Sequence, residues 1–373
     1  MLAFVVLLPR IGIGADVPGV TPTQIVVGQS AAFSGPAAEL GTQYRAGAQA
    51  YFDYVNTLGG IHKRQIRLIT RDDQYEADYA AANTRILISK ENVFALFGYV
   101  GTPTSNAAVP IVNSAQIPFF APLTGASSMR EPFNRYIFNI RAGYNDETEF
   151  LIDRSVRMGV RKIAVFYQND AYGRTGLSGI ESALRKRNLS IIETATVERN
   201  STDVRAAVQK LVNKKPEVIV QISAYSSSAA LIQQMREQGY SGQFYNVSFV
   251  GGQALMDLLG KDAHGVVISQ VVPFPWGTSN PLVAECATVM RKAGYNSLNF
   301  SSLEGYIAAK VFVEGLRRAG PGLTREKFIS ALETINTRTY TLGGFDIQFS
   351  HASHNGSKFV EMTVIGKDGK FKN

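Results

Sequence analysis

From residue 22 onward the chain alternates short apolar runs with longer stretches whose apolar residues recur every three or four positions, and this alternation happens twice. Between residues 22 and 140, "QIVVGQSAA", "RQIRLITRD", "VFALFG" and "IPFFAP" read as strands. The stretches between them read as helices: "GTQYRAGAQAYFDYVNTLGG", with Tyr44, Ala48, Phe52 and Val55 at helical spacing and a Gly59-Gly60 stop, then "EADYAAANTRILIS" and "TSNAAVPIVNSA". Strands separated by helices of this length demand right-handed crossovers, hence a parallel sheet covered on both faces. This is one doubly wound lobe.

The pattern then restarts. "KIAVFYQ", "SIIETATV", "EVIVQIS" and "GQFYNVSFV" read as strands, and "LSGIESALRKR", "DVRAAVQKLVN" and "SSAALIQQMREQG" as the helices between them. "GVVISQVVPFPW" leaves this second lobe through a proline-rich exit, and helices follow in "NPLVAECATVMRKAG", "LEGYIAAKVFVEGLRRAG" and "TREKFISALETI". The tail, "TLGGFDIQFS" and "SKFVEMTVIGKDGKF", alternates and turns like antiparallel strands. Helices arriving after a completed sheet imply a return to the first lobe. The expected division is 22–142 plus 273–340 for the N-terminal lobe and 143–272 plus 341–373 for the C-terminal lobe. Repeated crossings of this kind make a hinge suited to closing around a ligand.

A chain of 373 residues exceeds one compact core, in keeping with two lobes. Its net charge of +8 raises the question of nucleic acid, but Lys and Arg are scattered over helix faces such as "ALRKRNL" and "GLRRAG", so no nucleic-acid partner is expected. The start, "MLAFVVLLPRIGIGA", has an apolar stretch too short to span a bilayer and small residues ending at Ala15, the pattern of a secretion signal over residues 1–15. It lacks a positive n-region, which fits a truncated or misassigned start. The only cysteine, Cys286, lies deep in the chain, so neither an internal disulfide nor a lipid anchor on an N-terminal cysteine is expected. A soluble exported protein is the expectation.

In open α/β sheets, ligands sit beyond the carboxyl ends of the strands, where helix N-termini present unpaired N–H groups. "LFGYVGTPTSNAAVP" is such a junction: Thr102, Thr104 and Ser105 are the candidate caps, Pro103 suits the first turn, and free amides with hydroxyls suit a carboxylate. A self-contained cap without a ligand is the plainer alternative. "AAFSGPAAELG" puts Phe33, Ser34 and Gly35 after the first strand, and "FAPLTGASS" puts Leu123, Thr124 and Gly125 after the fourth. From the second lobe, "YQNDAYGRTG" places Tyr172 and "SAYSSS" places Tyr225 at corresponding ends, each offering an apolar face and a hydroxyl.

With these residues assembled, the chain resembles the branched-chain amino acid (leucine/isoleucine/valine) binding proteins, exported substrate-binding proteins of ABC importers with the type I periplasmic fold. The resemblance runs from about residue 22 to the end, through "SGPAAELG", "NTLGGIHKRQIRL", "DDQYEADYAAANTRIL", "FGYVGTPTS", "IPFFAPLTG", "NDAYGRTGL" and "LEGYIAAKVFVEGLRRAG". It implies a periplasmic, monomeric protein without cofactor or metal that traps a small solute and delivers it to a permease in the inner membrane. It further implies that Thr102 holds the ligand carboxylate with backbone groups of Leu123 and Gly125, that Thr124 adds its hydroxyl, and that Tyr172 and Tyr225 line the cleft. One departure matters. Where that family pairs a glutamate with the ligand ammonium, this chain reads "NVSFVGG", with Ser248 and Phe249. Asp170, Asp146 and Glu147 are the candidate replacements; without one, the ligand is a carboxylic acid with an apolar or aromatic body, walled by Phe33 and Phe249.

Two other classes compete with this reading. An enzyme is disfavoured because "GQSAA" and "GLSGI" do not make a nucleophile elbow, no phosphate-binding glycine motif follows the first strand, and only 4 histidines are present. His351 and His354 in "HASH" read as a surface turn, since metal binding needs further ligands. A ligand-sensing receptor or regulator on the same fold is the remaining alternative to transport.

Overall fold

The computed structural model describes residues 17–277, 279–296 and 298–373; the expected signal segment lies outside the described residues. The chain runs β1 (Gln24–Ala31), α1 (Ala38–Thr57), β2 (Gln65–Asp72), α2 (Ala77–Ser89), β3 (Ala95–Phe97), α3 (Thr102–Ala115), β4 (Phe119–Phe120) and β5 (Ile137–Phe138). These strands form a parallel sheet in the order β2-β1-β3-β4-β5. Then come α4 (Tyr144–Arg157), β6 (Ile163–Gln168), α5 (Ala171–Arg185), β7 (Glu193–Val197), α6 (Arg205–Val212), β8 (Val218–Ile222), α7 (Tyr225–Glu237), β9 (Gln243–Asn246), α8 (Gly252–Leu259) and β10 (Val267–Gln270). Last come α9 (Pro281–Lys292), α10 (Phe300–Ala319), α11 (Arg325–Leu332), β11 (Glu361–Ile365) and β12 (Phe371–Lys372). The second sheet is ordered β12-β11-β10-β9-β8-β6-β7, parallel from β7 to β10, with β11 and β12 antiparallel at one edge.

The apolar runs are buried on both faces because helices cover both sides; every residue of β8 is buried, as is nearly all of β6. The late helices α10 and α11 lie on the first sheet. Phe312 stacks edge-on against Phe97 and Phe120, and Phe328 meets Phe94 and Phe312. Arg325 ties α11 to the start of β3 by donating to the carbonyls of Val93 and Phe94. The chain passes between the sheets after β5, after β10 and again between α11 and β11. The first and last of these passages run side by side, Asn139 N donating to His354 O and Gly356 N to Asn139 O, each at 2.8 Å.

Several local expectations need correction. "TLGGFDIQFS" is not a strand: it is irregular, with one bridge at Ser350 and Ser353. β5, α4 and α8 were not anticipated. The strand read in "GQFYNVSFV" stops at Asn246, and Ser248–Val250 form a turn of 3₁₀ helix. None of Thr102, Thr104 and Ser105 caps α3; the cap is Gly101, at φ 100°. A methyl there would overlap the Tyr75 ring, so the glycine is required both by its backbone and by its neighbour.

Close approach of α1 and α10 sets the geometry of the first lobe. A Cβ at Gly47 would overlap the Ser302 carbonyl, and one at Gly305 the Tyr44 carbonyl, so each helix presses its backbone onto the other where a glycine stands. At the ends of β1 and β2, Ser30 Oγ donates to Asp73 Oδ2 at 2.7 Å and Tyr75 N to Asp73 Oδ1 at 2.9 Å. Burial pushes the Asp73 carboxyl up to about 7 despite those two hydrogen bonds.

Gly305→Ala should lower unfolding stability by about 1–3 kcal/mol through overpacking, read by urea denaturation. Between roughly pH 4, the ordinary aspartate value, and pH 7, folded Asp73 keeps a proton that the unfolded chain has released. The wild type should therefore gain stability as pH falls through 7, and Asp73→Asn should flatten that part of the melting-temperature profile.

Candidate ligand-binding site

The carboxyl ends of β3 and β4 bring two hydroxyls together. Thr102, in the first turn of α3, and Thr124, beyond β4, lie 2.7 Å apart through their Oγ1 atoms, and Ala126 N donates to Thr124 Oγ1 at 3.1 Å. Thr104 is turned inward, its hydroxyl donating to the carbonyls of Val100 and Gly101. Ser105 Oγ is buried and unpartnered. Leu123 differs from expectation: its N–H donates to Tyr99 O and its carbonyl accepts from Gly101 N, so its backbone is already engaged in extending the sheet. The Gly125 carbonyl accepts from Tyr144 N at 2.7 Å, and its amide faces the Tyr144 hydroxyl. The anion-binding groups here are thus the first turn of α3, the threonine hydroxyls and the Gly125 amide.

Facing them is a cluster of aromatic rings. Asp170 caps α5, accepting from Tyr172 N at 2.9 Å, and so fixes Tyr172 at the helix start. The Tyr172 ring lies 4.7 Å from Phe249 and 5.2 Å from Tyr144, and Tyr75 completes the group 6.0 Å from Phe249. All four are buried; the Tyr172 hydroxyl has no hydrogen-bond partner, and the Tyr144 hydroxyl stands by the Thr124 hydroxyl and the Gly125 amide. Burial pushes Tyr144 up to about 12 and Tyr172 well above the ordinary tyrosine range, so both present neutral O–H groups. Gln168 Nε2 donates to the Tyr75 hydroxyl at 3.2 Å, linking the two sheets across this junction.

Beside the rings sits a buried charge group. Arg141, only 1% exposed, has its Nε 3.3 Å from Glu304 Oε1 of α10 and donates through Nη2 to Ser248 Oγ. Glu147 of α4 accepts from Ser248 N at 2.8 Å, Ser248 Oγ at 3.0 Å and Ser269 Oγ at 2.6 Å. Burial opposes the Arg141 charge, but Glu304 and Glu147 more than offset it and hold its pKa above the ordinary arginine value. Burial likewise raises Glu304, to about 7, against the pull of Arg141. Of the candidate replacements for a cleft carboxylate, Asp170 and Asp146 are spent on helix starts, Asp146 Oδ2 accepting from Gly143 N. Glu147 reaches the cleft, already engaged by the two serines.

Not every expected residue joins this group. Ser34 is exposed and donates to Asp72, and the Phe33 ring lies under the Arg45 guanidinium at 5.1 Å, so neither walls the cluster. Tyr225 spans the junction elsewhere, its hydroxyl accepting from Glu39 N at the start of α1 at 3.3 Å. Next to it, a Cβ on Gly251 would come within 2.9 Å of Leu40. A cavity of about 850 Å³ opens on that side, bounded by Glu39, Leu40, Gly251, Trp276 and Arg291. Leu40 also borders a far smaller cavity, about 10 Å³, with Arg141 and Glu304. The smaller one is lined by Leu123, next to Thr124 in the chain, and by Phe249 of the ring cluster. His351 is exposed as expected of a surface turn, but His354 is buried against Phe138; both pair with Glu333, and among the described residues no group of three or more potential ligands is placed to hold a metal.

The sequence does not single out Tyr75, Arg141, Tyr144 or Glu304. A faint signal existed for α4: Gly143, then Asp146 and Glu147 in the first turn and Arg154 and Arg157 in the last, the charge order a helix dipole favours. Nothing comparable marked Arg141 or Glu304.

The arrangement has relatives. The model of the periplasmic binding protein family matches residues 24–370. A possible leucine/isoleucine/valine-binding protein from Rhodopirellula baltica SH 1 has 33% identity and a TM-score of 0.89, over 96% of this chain and 98% of that one. A substrate-binding periplasmic protein from Ralstonia solanacearum has 34% identity and a TM-score of 0.87, over 93% and 99%. Leu/Ile/Val-binding protein homolog 7 of Brucella suis biovar 1 is 25% identical over 97% of this chain and 94% of its own length. Among the described residues no helix is long and apolar enough to cross a membrane. Two parallel sheets whose strand ends face one another across hydroxyls, rings and a buried arginine thus have their explanation in kinship: the chain belongs to the periplasmic binding protein family, whose members bind solutes.

Proposed function

We propose that this chain is an exported, periplasmic solute-binding protein that traps a small carboxylate-bearing ligand between its lobes and delivers it to the membrane permease of an ABC importer. The observation that carries the reading is the pairing of Thr102 and Thr124 at the start of α3, with the buried hydroxyls of Ser105 and Tyr172 left without a partner of their own. A buried hydroxyl without a hydrogen bond is costly, and two of them around one spot favour a polar group arriving there. The first turn of α3 and the Gly125 amide favour that group being an anion. Phe249 and the tyrosine rings suit an apolar or aromatic body, either an amino acid of the branched-chain type or a carboxylic acid.

The lobes are taken as 22–142 plus 273–340 and 143–272 plus 341–373. Ligand contacts then come from both: the hydroxyl pair from the first, Tyr172 and Phe249 from the second. A ligand of several heavy atoms needs the lobes further apart than they stand, since the cavity beside Arg141 is about 10 Å³. Binding therefore couples to opening and reclosing, and the ligand favours the closed form by contacts that exist only there. Delivery to a permease rests on kinship with transporter components.

Two substitutions test the site by calorimetry against a panel of amino acids and carboxylic acids. Thr102→Ala should weaken binding by about 1–3 kcal/mol through loss of a hydrogen bond to a charged group. Unchanged affinity would remove Thr102 from the site. Tyr172→Phe removes a hydroxyl that has no partner in the protein, so it should lower affinity without lowering the melting temperature; a fall in melting temperature alone would make Tyr172 a packing residue.

A further inference from the structure

Two sets of buried charges meet where the lobes adjoin. Arg141 and Glu304 belong to the first lobe: the Arg141 and Ala142 carbonyls accept from Arg130, Tyr144 N donates to Gly125 O, and Glu304 stands on α10, which is pressed against α1. Glu147, Ser248 and Ser269 belong to the second. Helix α4, which carries Glu147, packs so closely on α5 that a Cβ at Gly179 would overlap the Thr148 hydroxyl, while Ser248 follows β9 and Ser269 stands in β10. Glu147 accepts from both serine hydroxyls and from Ser248 N, so the second-lobe carboxylate has donors of its own.

Among the described residues, one hydrogen bond joins the two sets. Arg141 Nη2 donates to Ser248 Oγ, whereas Arg141 Nε and Nη1 have no hydrogen-bond partner. A guanidinium only donates and a hydroxyl carries a single proton, so Ser248 accepts from Arg141 and gives its own proton to Glu147, 3.0 Å away. The hydroxyl thus relays the Arg141 charge to Glu147. A direct Arg–Glu pair would be broken outright each time the lobes part; here Arg141 keeps Glu304 at 3.3 Å and Glu147 keeps its serines. The contact is directional, and it breaks without separating either charge from its own lobe's partner.

Ser248 also begins the 3₁₀ turn that carries Phe249, whose ring lies 4.7 Å from Tyr172 and 6.0 Å from Tyr75. Where Arg141 meets Ser248 therefore fixes where Tyr75, from the first lobe, meets Phe249. We infer that Ser248 is the positioning residue of closure: its hydroxyl, accepting from Arg141 and donating to Glu147, sets the register in which the lobes shut around a ligand. The inference rests on the two-lobe reading above and is independent of the ligand's being a carboxylate.

The test needs no ligand. Glu76→Cys and Arg199→Cys place two thiols across the junction, where the native side chains are 2.8 Å apart and 39% and 24% exposed, while Cys286 is buried. A short bis-maleimide attached at one cysteine captures the other only when the lobes are shut, so the capture rate, followed by mass, reports the shut fraction. In this background Ser248→Ala should slow capture about 10-fold, the loss of one hydrogen bond to a charged group. The backbone bond from position 248 to Glu147 survives that change and keeps the turn folded. Ser248→Thr retains the hydroxyl, and Ser269→Ala strips Glu147 of a donor within one lobe; both should stay within about twofold of the parent. Capture at the parent's rate in Ser248→Ala would overturn the inference. So would Ser248→Thr or Ser269→Ala slowing capture as much as Ser248→Ala, since the effect would then be a general loosening. A parent captured as fast as a cysteine pair placed within one lobe would show that the lobes do not part, and the two-lobe reading would fall together with this one.

Discussion

A guanidinium withdrawn from water governs the middle of this molecule. Arg141 is all but inaccessible, and the groups that make its charge tolerable come from separate parts of the chain: Glu304 from α10, Glu147 from α4 and Ser248 from the turn after β9. Removing one partner from such a group leaves an uncompensated buried charge, a loss of about 3–5 kcal/mol. Elements far apart in sequence are thus held to one register. The glycine contact between α1 and α10 positions Glu304, and the start of α4 positions Glu147.

Contacts that bridge the two sheets away from Arg141 are weaker. Arg199 reaches Glu76 at 2.8 Å, but the partners are 24% and 39% exposed, and such pairs contribute about 0–1 kcal/mol. Tyr225 on Glu39 N is a single long hydrogen bond of 3.3 Å. Hydrogen bonds from buried neutral hydroxyls to an anion contribute about 1.5–3 kcal/mol each. The unpartnered hydroxyls, more than the peripheral pairs, therefore decide how much closure depends on a ligand.

Much of the fold was legible because its strands are buried runs that need no partner to be recognised, as in "EVIVQIS" at β8. What escaped depended on contacts distant in sequence. β5 has only Ile137 and Phe138, too short for any periodicity. Gly101 caps α3 because the ring of Tyr75, from the loop after β2, lies where a side chain would be. Of the candidate site, Thr102, Thr124, Tyr172 and Phe249 converge, since strand ends are marked by local turn chemistry. Arg141 and Glu304 stayed hidden because a charge in a loop or on a helix normally points to solvent, and only the packing of α10 on α1 turns Glu304 inward.

The antiparallel edge of the second sheet bears on how the chain is made. Strand β10 finds its neighbour on that side only in β11, about a hundred residues later, after α9, α10 and α11 have packed elsewhere. A chain emerging N-terminus first therefore carries an open strand edge, with unpaired N–H and C=O groups beside apolar Val267 and Ile268, until its last segment arrives. Chain completion and edge protection are one event here, so a nascent or clipped chain ending before residue 361 presents a ready template for pairing with another copy of itself.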